Sequence, residues 1–258
     1  MLNEISQAFK NNAFIPFIVA ADPNYQKSLE TAKALIDAGA DVLEIGIPYT
    51  DPAADGPTIQ KAYSRALKNG FEVKQIFKLV KEIKKYKDIP IVVLTYYNIV
   101  YNQGIDTFYE KAKESKINGV IIADMPIEES DEVLTQSKQK DIHQIFLVSP
   151  NSTKERIKKI EKKSEGFIYT ITRLGVTGKK EKFLENTRKT IQKVKSTTDL
   201  PIAAGFGISK PKHAEKAIKA GADGVIVGSA IVEKIQKNHS LEQIKNYVEE
   251  MKKAINKI

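Results

Sequence analysis

Eight short runs of β-branched and aromatic residues recur along this chain, each followed by an amphipathic window, and nothing else restricts its fold as much. The runs are FIPFIVA (14–20), DVLEIGI (41–47), PIVVLTY (90–96), GVIIAD (119–124), HQIFLV (143–148), GFIYTI (166–171), LPIAAG (200–205) and DGVIVG (223–228). They are continuous rather than alternating, which predicts strands covered on both faces. Helical patterns fall at 27–38, 58–69, 73–86, 105–115, 128–139, 153–164, 181–196, 211–220 and 240–256. Several close on Gly or Asn just before the next strand, as in DAGADVLEI and KAGADGVIV. Spread over 258 residues, eight repeats take about 32 residues each, the size of a βα unit in a closed barrel. The predicted fold is α/β: one (β/α)8 TIM barrel over residues 1–258, with extra helices and long loops after strands two and six. An open doubly wound sheet is the alternative, but AADPNYQ after the first strand lacks its Gly-rich fingerprint.

Composition narrows the chemistry. The chain has no cysteine, which excludes disulfides, thiolate metal sites and cysteine nucleophiles, and three histidines (His143, His213, His239) make a poor metal centre. No apolar stretch reaches the length of a membrane span, and MLNEISQAFKNN does not read as a secretory signal, so a cytoplasmic protein is expected. The net charge is +9, yet only four basic residues are arginine, and the lysines alternate with glutamates on helix faces. That sign suits an anionic small substrate better than nucleic acid.

In such a barrel the function collects at the C-terminal ends of the strands. The second strand ends LEIGIPYTDPAADGPTIQ, with Glu44 inside an apolar run. A carboxylate there must be paired, protonated or at work, and alternation with Leu43 and Ile45 turns it toward the barrel mouth. Asp55 lies on a loop stiffened by Pro48, Pro52 and Pro57; taken alone it also reads as a turn or capping aspartate, as Asp51 does more strongly. The last three strand ends, TRLGVTGK, AAGFGIS and VIVGSA, set glycines and backbone donors at adjacent corners, a grip suited to a phosphate dianion. No Walker-type lysine follows them, which argues against a nucleotide triphosphate.

The segments PFIVAADP (16–23), AGADVLEIGIPYTDPAADGPTIQ (38–60), YYNIVYNQGIDTFY (96–109), IIADMPIEES (121–130), RLGVTG (173–178), GFGIS (205–209) and AGADGVIVGSAIV (220–232) run from the first strand to the last helices. In them the chain resembles the tryptophan synthase α subunit family. The resemblance implies a carbon–carbon lyase that cleaves indole-3-glycerol phosphate to indole and glyceraldehyde 3-phosphate by a retro-aldol step. It puts the catalytic pair at Glu44 and Asp55, and phosphate contacts at Gly178, Gly207, Gly228 and Ser229. It lines an indole slot with Phe17, Leu94, Ile121, Ala123, Tyr169, Thr177 and Phe206, and sets Tyr96 and Asp124 at loop or interface contacts. The sequence departs from the family at Ala21, where glycine is common, and at Val19, where threonine is frequent. The resemblance further implies a partner, the β subunit, in an αββα heterotetramer that makes L-tryptophan from indole and L-serine. Pyridoxal phosphate (PLP) would belong to that partner, with no cofactor in this chain.

The chemistry is consistent with the residues. Carbon 3 of the indole must be protonated and the adjacent chain hydroxyl deprotonated, work for a strand-anchored Glu44. An anionic Asp55 can accept the ring N–H and stabilise the iminium-like ring, so the reaction needs no metal. Two further readings share parts of the pattern: a sugar-phosphate isomerase barrel with the same glycine corners, and an activator of a β-like enzyme with decayed cleavage activity.

Overall fold

A computed structural model describes residues 2–172, 180–205 and 207–257. Among these, nine strands form one parallel sheet: β1 (Ala13–Val19), β2 (Leu43–Gly46), β3 (Ile91–Thr95), β4 (Gly119–Ile122), β5 (His143–Ile145), β6 (Leu147–Val148), β7 (Ile168–Ile171), β8 (Ile202–Gly205) and β9 (Gly224–Val227). Their order is β5-β4-β3-β2-β1-β9-β8-β7-β6. The two end strands are halves of one stave, parted only by Phe146, so the sheet curls round into a barrel. His143 N donates to Asn118 O on one side (3.0 Å), and Phe146 O accepts from Tyr169 N on the other (3.1 Å). All eight predicted strands are present, the fifth interrupted where it exchanges one neighbour for the other.

Around the sheet run α1 (Leu2–Ala8), α2 (Tyr25–Asp37), α3 (Pro57–Lys68), α4 (Lys74–Tyr86), α5 (Tyr97–Gln103), α6 (Ile105–Glu114), α7 (Asp131–Gln139), α8 (Lys154–Lys163), α9 (Lys180–Lys195), α10 (Pro211–Lys219), α11 (Ser229–Gln236) and α12 (Leu241–Asn256). Every predicted helical window is occupied. The sequence pattern did not resolve α1, α5 and α11, which at seven, seven and eight residues are too short for a clear 3.6-residue period. Side chains cap three of the others: Asn24 on α2, Thr153 on α8, and Ser240 with Gln243 in a capping box on α12.

Register settles which residues face inward. Paired residues of parallel strands share a face, and so do residues two apart. Phe17 pairs with Glu44, Gly46 with Leu94, Leu94 with Ile121, Ile121 with Ile145, and Leu147 with Tyr169. Phe17, Glu44, Leu94, Ile121 and Tyr169 therefore lie on one face, the barrel interior. The intervening residues, among them Ile18, Ile45, Val93 and Val120, are buried beneath the helices. No helix among the described residues is long and apolar enough to cross a membrane.

Candidate active site

Glu44 sits mid-strand in β2 and is 1% exposed, between Leu43 and Ile45, which face the helices. Its Oε1 is buried without a hydrogen-bond partner among the described residues. Burial first, and then the nearby Asp55 charge, push the Glu44 carboxyl up to about 8. It is therefore held as a protonated acid at neutral pH, the state in which it can donate.

Asp55 comes from the loop joining β2 to α3. That loop is braced by its own backbone, with Asp55 N on Pro52 O (3.0 Å) and Ala53 N on Asp51 O (2.8 Å). The capping alternative is removed: Gly56 is the N-cap of α3 and receives no side-chain bond, with Pro57 opening the helix. The carboxylate turns to Tyr96, directly after β3, whose hydroxyl donates to Oδ2 at 2.6 Å. The same hydroxyl accepts from Ala54 N at 3.2 Å, so one phenol latches both the loop and its acid. Burial raises the Asp55 carboxyl to about 6, against the Tyr96 and Tyr63 hydroxyls, which pull it down. Asp51 is exposed and accepts from Thr50 Oγ1 at 2.6 Å, the local turn role expected of it.

Two aromatic rings complete the pocket floor. Tyr169 on β7 is 4% exposed and lies against Gly205, where a Cβ would stand 2.6 Å from its Cε1. Tyr63 reaches in from α3, fully buried, and a Cβ on Gly46 would stand 2.7 Å from its hydroxyl and 2.6 Å from Phe17 Cζ. Both phenols are held far above their ordinary range by burial and by the Glu44 and Asp55 charges. Glu44, Asp55, Tyr63, Tyr96 and Tyr169 thus share one field. Tyr63 and Gly46 escaped the sequence reading, which had Gly205 only as part of the AAGFGIS corner. A tyrosine in a helical window looks like any core residue, although the small residues at inward strand ends were a usable signal.

The opposite corner has the character of an anion seat. Gly207 takes a left-handed φ of 87°, open to glycine and strained for other residues. Gly228 is the N-cap of α11 with no side-chain bond, and the exposed Ser229 begins that helix, leaving its first amides for a ligand. Gly228 also joins this corner to the acid: a Cβ there would stand 3.2 Å from Cδ1 of Phe17, the register partner of Glu44. Leu94 is 5% exposed and Ile121 fully buried, both on the inward face, while Ala123 is half-buried just beyond β4. Asp124 accepts from Tyr97 N at 2.8 Å, tying the β4 loop to α5. Thr177, Gly178 and Phe206 lie outside the described residues, as does most of the loop after the sixth barrel strand. Among the described residues no group of His, Asp and Glu could hold a metal ion.

Residues 4–257 match the sequence profile of the tryptophan synthase alpha chain family. The chain belongs to this family. The tryptophan synthase alpha chain of Methanoregula boonei is 46% identical over 262 positions, covering 98% of this chain and 99% of that one. The alpha chain of Methanothermobacter thermautotrophicus is 44% identical over 226 positions, covering 88% of this chain and 84% of its own length. Among solved structures, a chain of the tryptophan synthase a2b2 complex from Pyrococcus furiosus superposes with a TM-score of 0.90 at 38% identity. That match covers 95% of this chain and 99% of the other. A tryptophan synthase chain from M. tuberculosis gives 0.87 at 30% identity. The family and its barrel, expected from the motifs, are thereby established.

Proposed function

We propose that this chain is the α-type lyase of tryptophan synthesis, cleaving indole-3-glycerol phosphate to indole and glyceraldehyde 3-phosphate with Glu44 and Asp55 as its catalytic pair. One observation carries the assignment. A carboxyl buried on the inward face of β2, with Oε1 unpartnered, stands with a second carboxyl that Tyr96 holds at 2.6 Å. Burial raises the first to about 8 and the second to about 6.

The roles follow. Protonated Glu44 gives its proton to indole carbon 3, which becomes tetrahedral and leaves a positive ring nitrogen. Glu44, now a carboxylate, takes the proton of the neighbouring chain hydroxyl. The bond between carbon 3 and the chain breaks, its electron pair returns to the ring nitrogen, and the former hydroxyl carbon becomes the aldehyde. Glu44 ends protonated, ready for the next turnover. Asp55 stays ionised, accepts the ring N–H and stabilises the cation as it forms. Phe17, Leu94, Ile121 and Tyr169 line the apolar slot, to which the family resemblance assigns Thr177 and Phe206 as well. Gly207, Gly228 and Ser229 hold the phosphate, with Gly178 assigned there by the family resemblance, and its binding fixes the ring in register.

Indole would leave this pocket for a β subunit that joins it to L-serine, in an αββα assembly in the cytoplasm, with PLP on the β chain. The α chain needs no cofactor for the lyase step. The direct experiment is indole release from indole-3-glycerol phosphate by the isolated chain. Glu44→Gln should lower kcat by about 100- to 10,000-fold, the usual worth of a positioned proton donor, without loss of substrate binding. Near-normal cleavage by that variant ends the proposal.

A further inference from the structure

Gly207 lies in a turn that the sheet does not hold. β8 ends at Gly205, and its pairing with β9 stops one residue earlier, at Ala204 with Val225. Two glycines within three residues give a backbone wide freedom, and ordering left until a ligand arrives costs affinity. Two hydroxyls from outside the turn take hold of it on either side of Gly207. Thr172, 1% exposed just beyond β7, donates to Gly205 O twice, from its N at 3.1 Å and from its Oγ1 at 2.8 Å. The first bond continues the β7–β8 ladder, in which Ile171 pairs with Gly205. The ladder needs only that N–H; the hydroxyl adds a second hold on the same oxygen. On the far side, Tyr247 of α12 donates its hydroxyl to Ser209 O at 3.1 Å. Lys234 Nζ stands 4.7 Å over the ring of that tyrosine, and Lys234 belongs to α11, the helix that Gly228 caps and Ser229 opens. One phenol ring thus ties the turn of Gly207 to the amide corner of α11.

We propose that Thr172 is a positioning residue for the anion seat, its hydroxyl, with that of Tyr247 across the turn, holding Gly207 in the conformation that a phosphate meets. A seat set before its ligand arrives loses no affinity to ordering. The inference rests on the phosphate reading of this corner for its purpose, but the hold on the turn can be measured without a ligand.

Two measurements on the isolated chain make the test. Nitrogen-15 relaxation of the Gly207 and Ile208 amides reports the turn in free protein. Calorimetry with glycerol 3-phosphate, the tail of the proposed substrate, reports the seat. Thr172→Val keeps the shape and removes the donor. It should lower the Gly207 order parameter and weaken glycerol 3-phosphate by about 3- to 10-fold, the worth of one hydrogen bond. Thr172→Ser, which restores the hydroxyl, should recover both. Tyr247→Phe, at a half-buried site, should move both in the same direction as Thr172→Val. In indole release KM should rise by the same factor while kcat stays within about twofold, because the lost binding is common to ground and transition states. Unchanged order and affinity in Thr172→Val and Tyr247→Phe, with only the melting temperature lowered, overturn the proposal. So does a Thr172→Ser variant as weak as Thr172→Val. A parent chain that does not bind glycerol 3-phosphate overturns the phosphate reading instead, and the relaxation of the variants then decides the hold on the turn by itself.

Discussion

Ala21 occupies the left-handed region at φ 57°, in the turn that follows β1, where its N–H donates to Ser28 Oγ at 3.2 Å. This is the position where the sequence departs from the family's usual glycine, and a Cβ is strained in that conformation. Ala21→Gly should therefore stabilise the chain by about 0.5–1 kcal/mol, less the added freedom of glycine in the unfolded state, read as a higher melting temperature. Glu44 carries strain of a different kind. Its folded carboxyl holds a proton that the unfolded chain loses near its ordinary value of 4.5, so stability falls as pH rises from about 4.5 to about 8. Glu44→Gln should flatten that fall and melt higher at pH 7, by about 1–3 kcal/mol, while losing activity. Glu44 was legible in the sequence because an acid inside LEIGI is an anomaly. Tyr63 was not, because burial and register, rather than residue type, distinguish it from an ordinary core ring.

Between elements, the decisive tie joins the β1 turn to α3. Arg65 grips the buried Asp22 with both arms of its guanidinium, Nε to Oδ1 and Nη2 to Oδ2, each at 2.8 Å. Because α3 carries Tyr63 and begins just after Asp55, this clamp fixes the seat of half the site. Arg65→Ala leaves a carboxylate buried without its partner and should cost about 3 kcal/mol in denaturant unfolding. Arg65→Lys should recover only part of this, since an ammonium cannot make the paired bonds. The strands and long helices were readable because their apolar patterns run for several periods. What the pattern could not convey was the break at Phe146 and the short α5 and α11, which are set by closure of the sheet and by loop contacts formed at long range.

At the scale of the whole molecule, closing the sheet brings together an acid from β2, an anion from the following loop and an amide corner from β9 and α11. On the roles proposed for them, cleavage needs Glu44 protonated and Asp55 ionised at once. Activity should thus be bell-shaped in pH, lost below about 6 as Asp55 takes a proton and above about 8 as Glu44 gives one up. The two limbs belong to the interacting pair, and a kcat/KM profile of indole release measures them directly. A profile flat from pH 5 to 9 would contradict the assignment. The Tyr96 latch has a mechanical consequence. Tyr96 immediately precedes α5, and on that helix Tyr97 packs against Tyr101, which is 63% exposed, with ring centroids 6.0 Å apart. A push on the outer ring need travel only one helical turn to reach the phenol that tethers Asp55. The anion of the site is thus tied, by one phenol, to the foot of a helix whose outer ring stands in solvent.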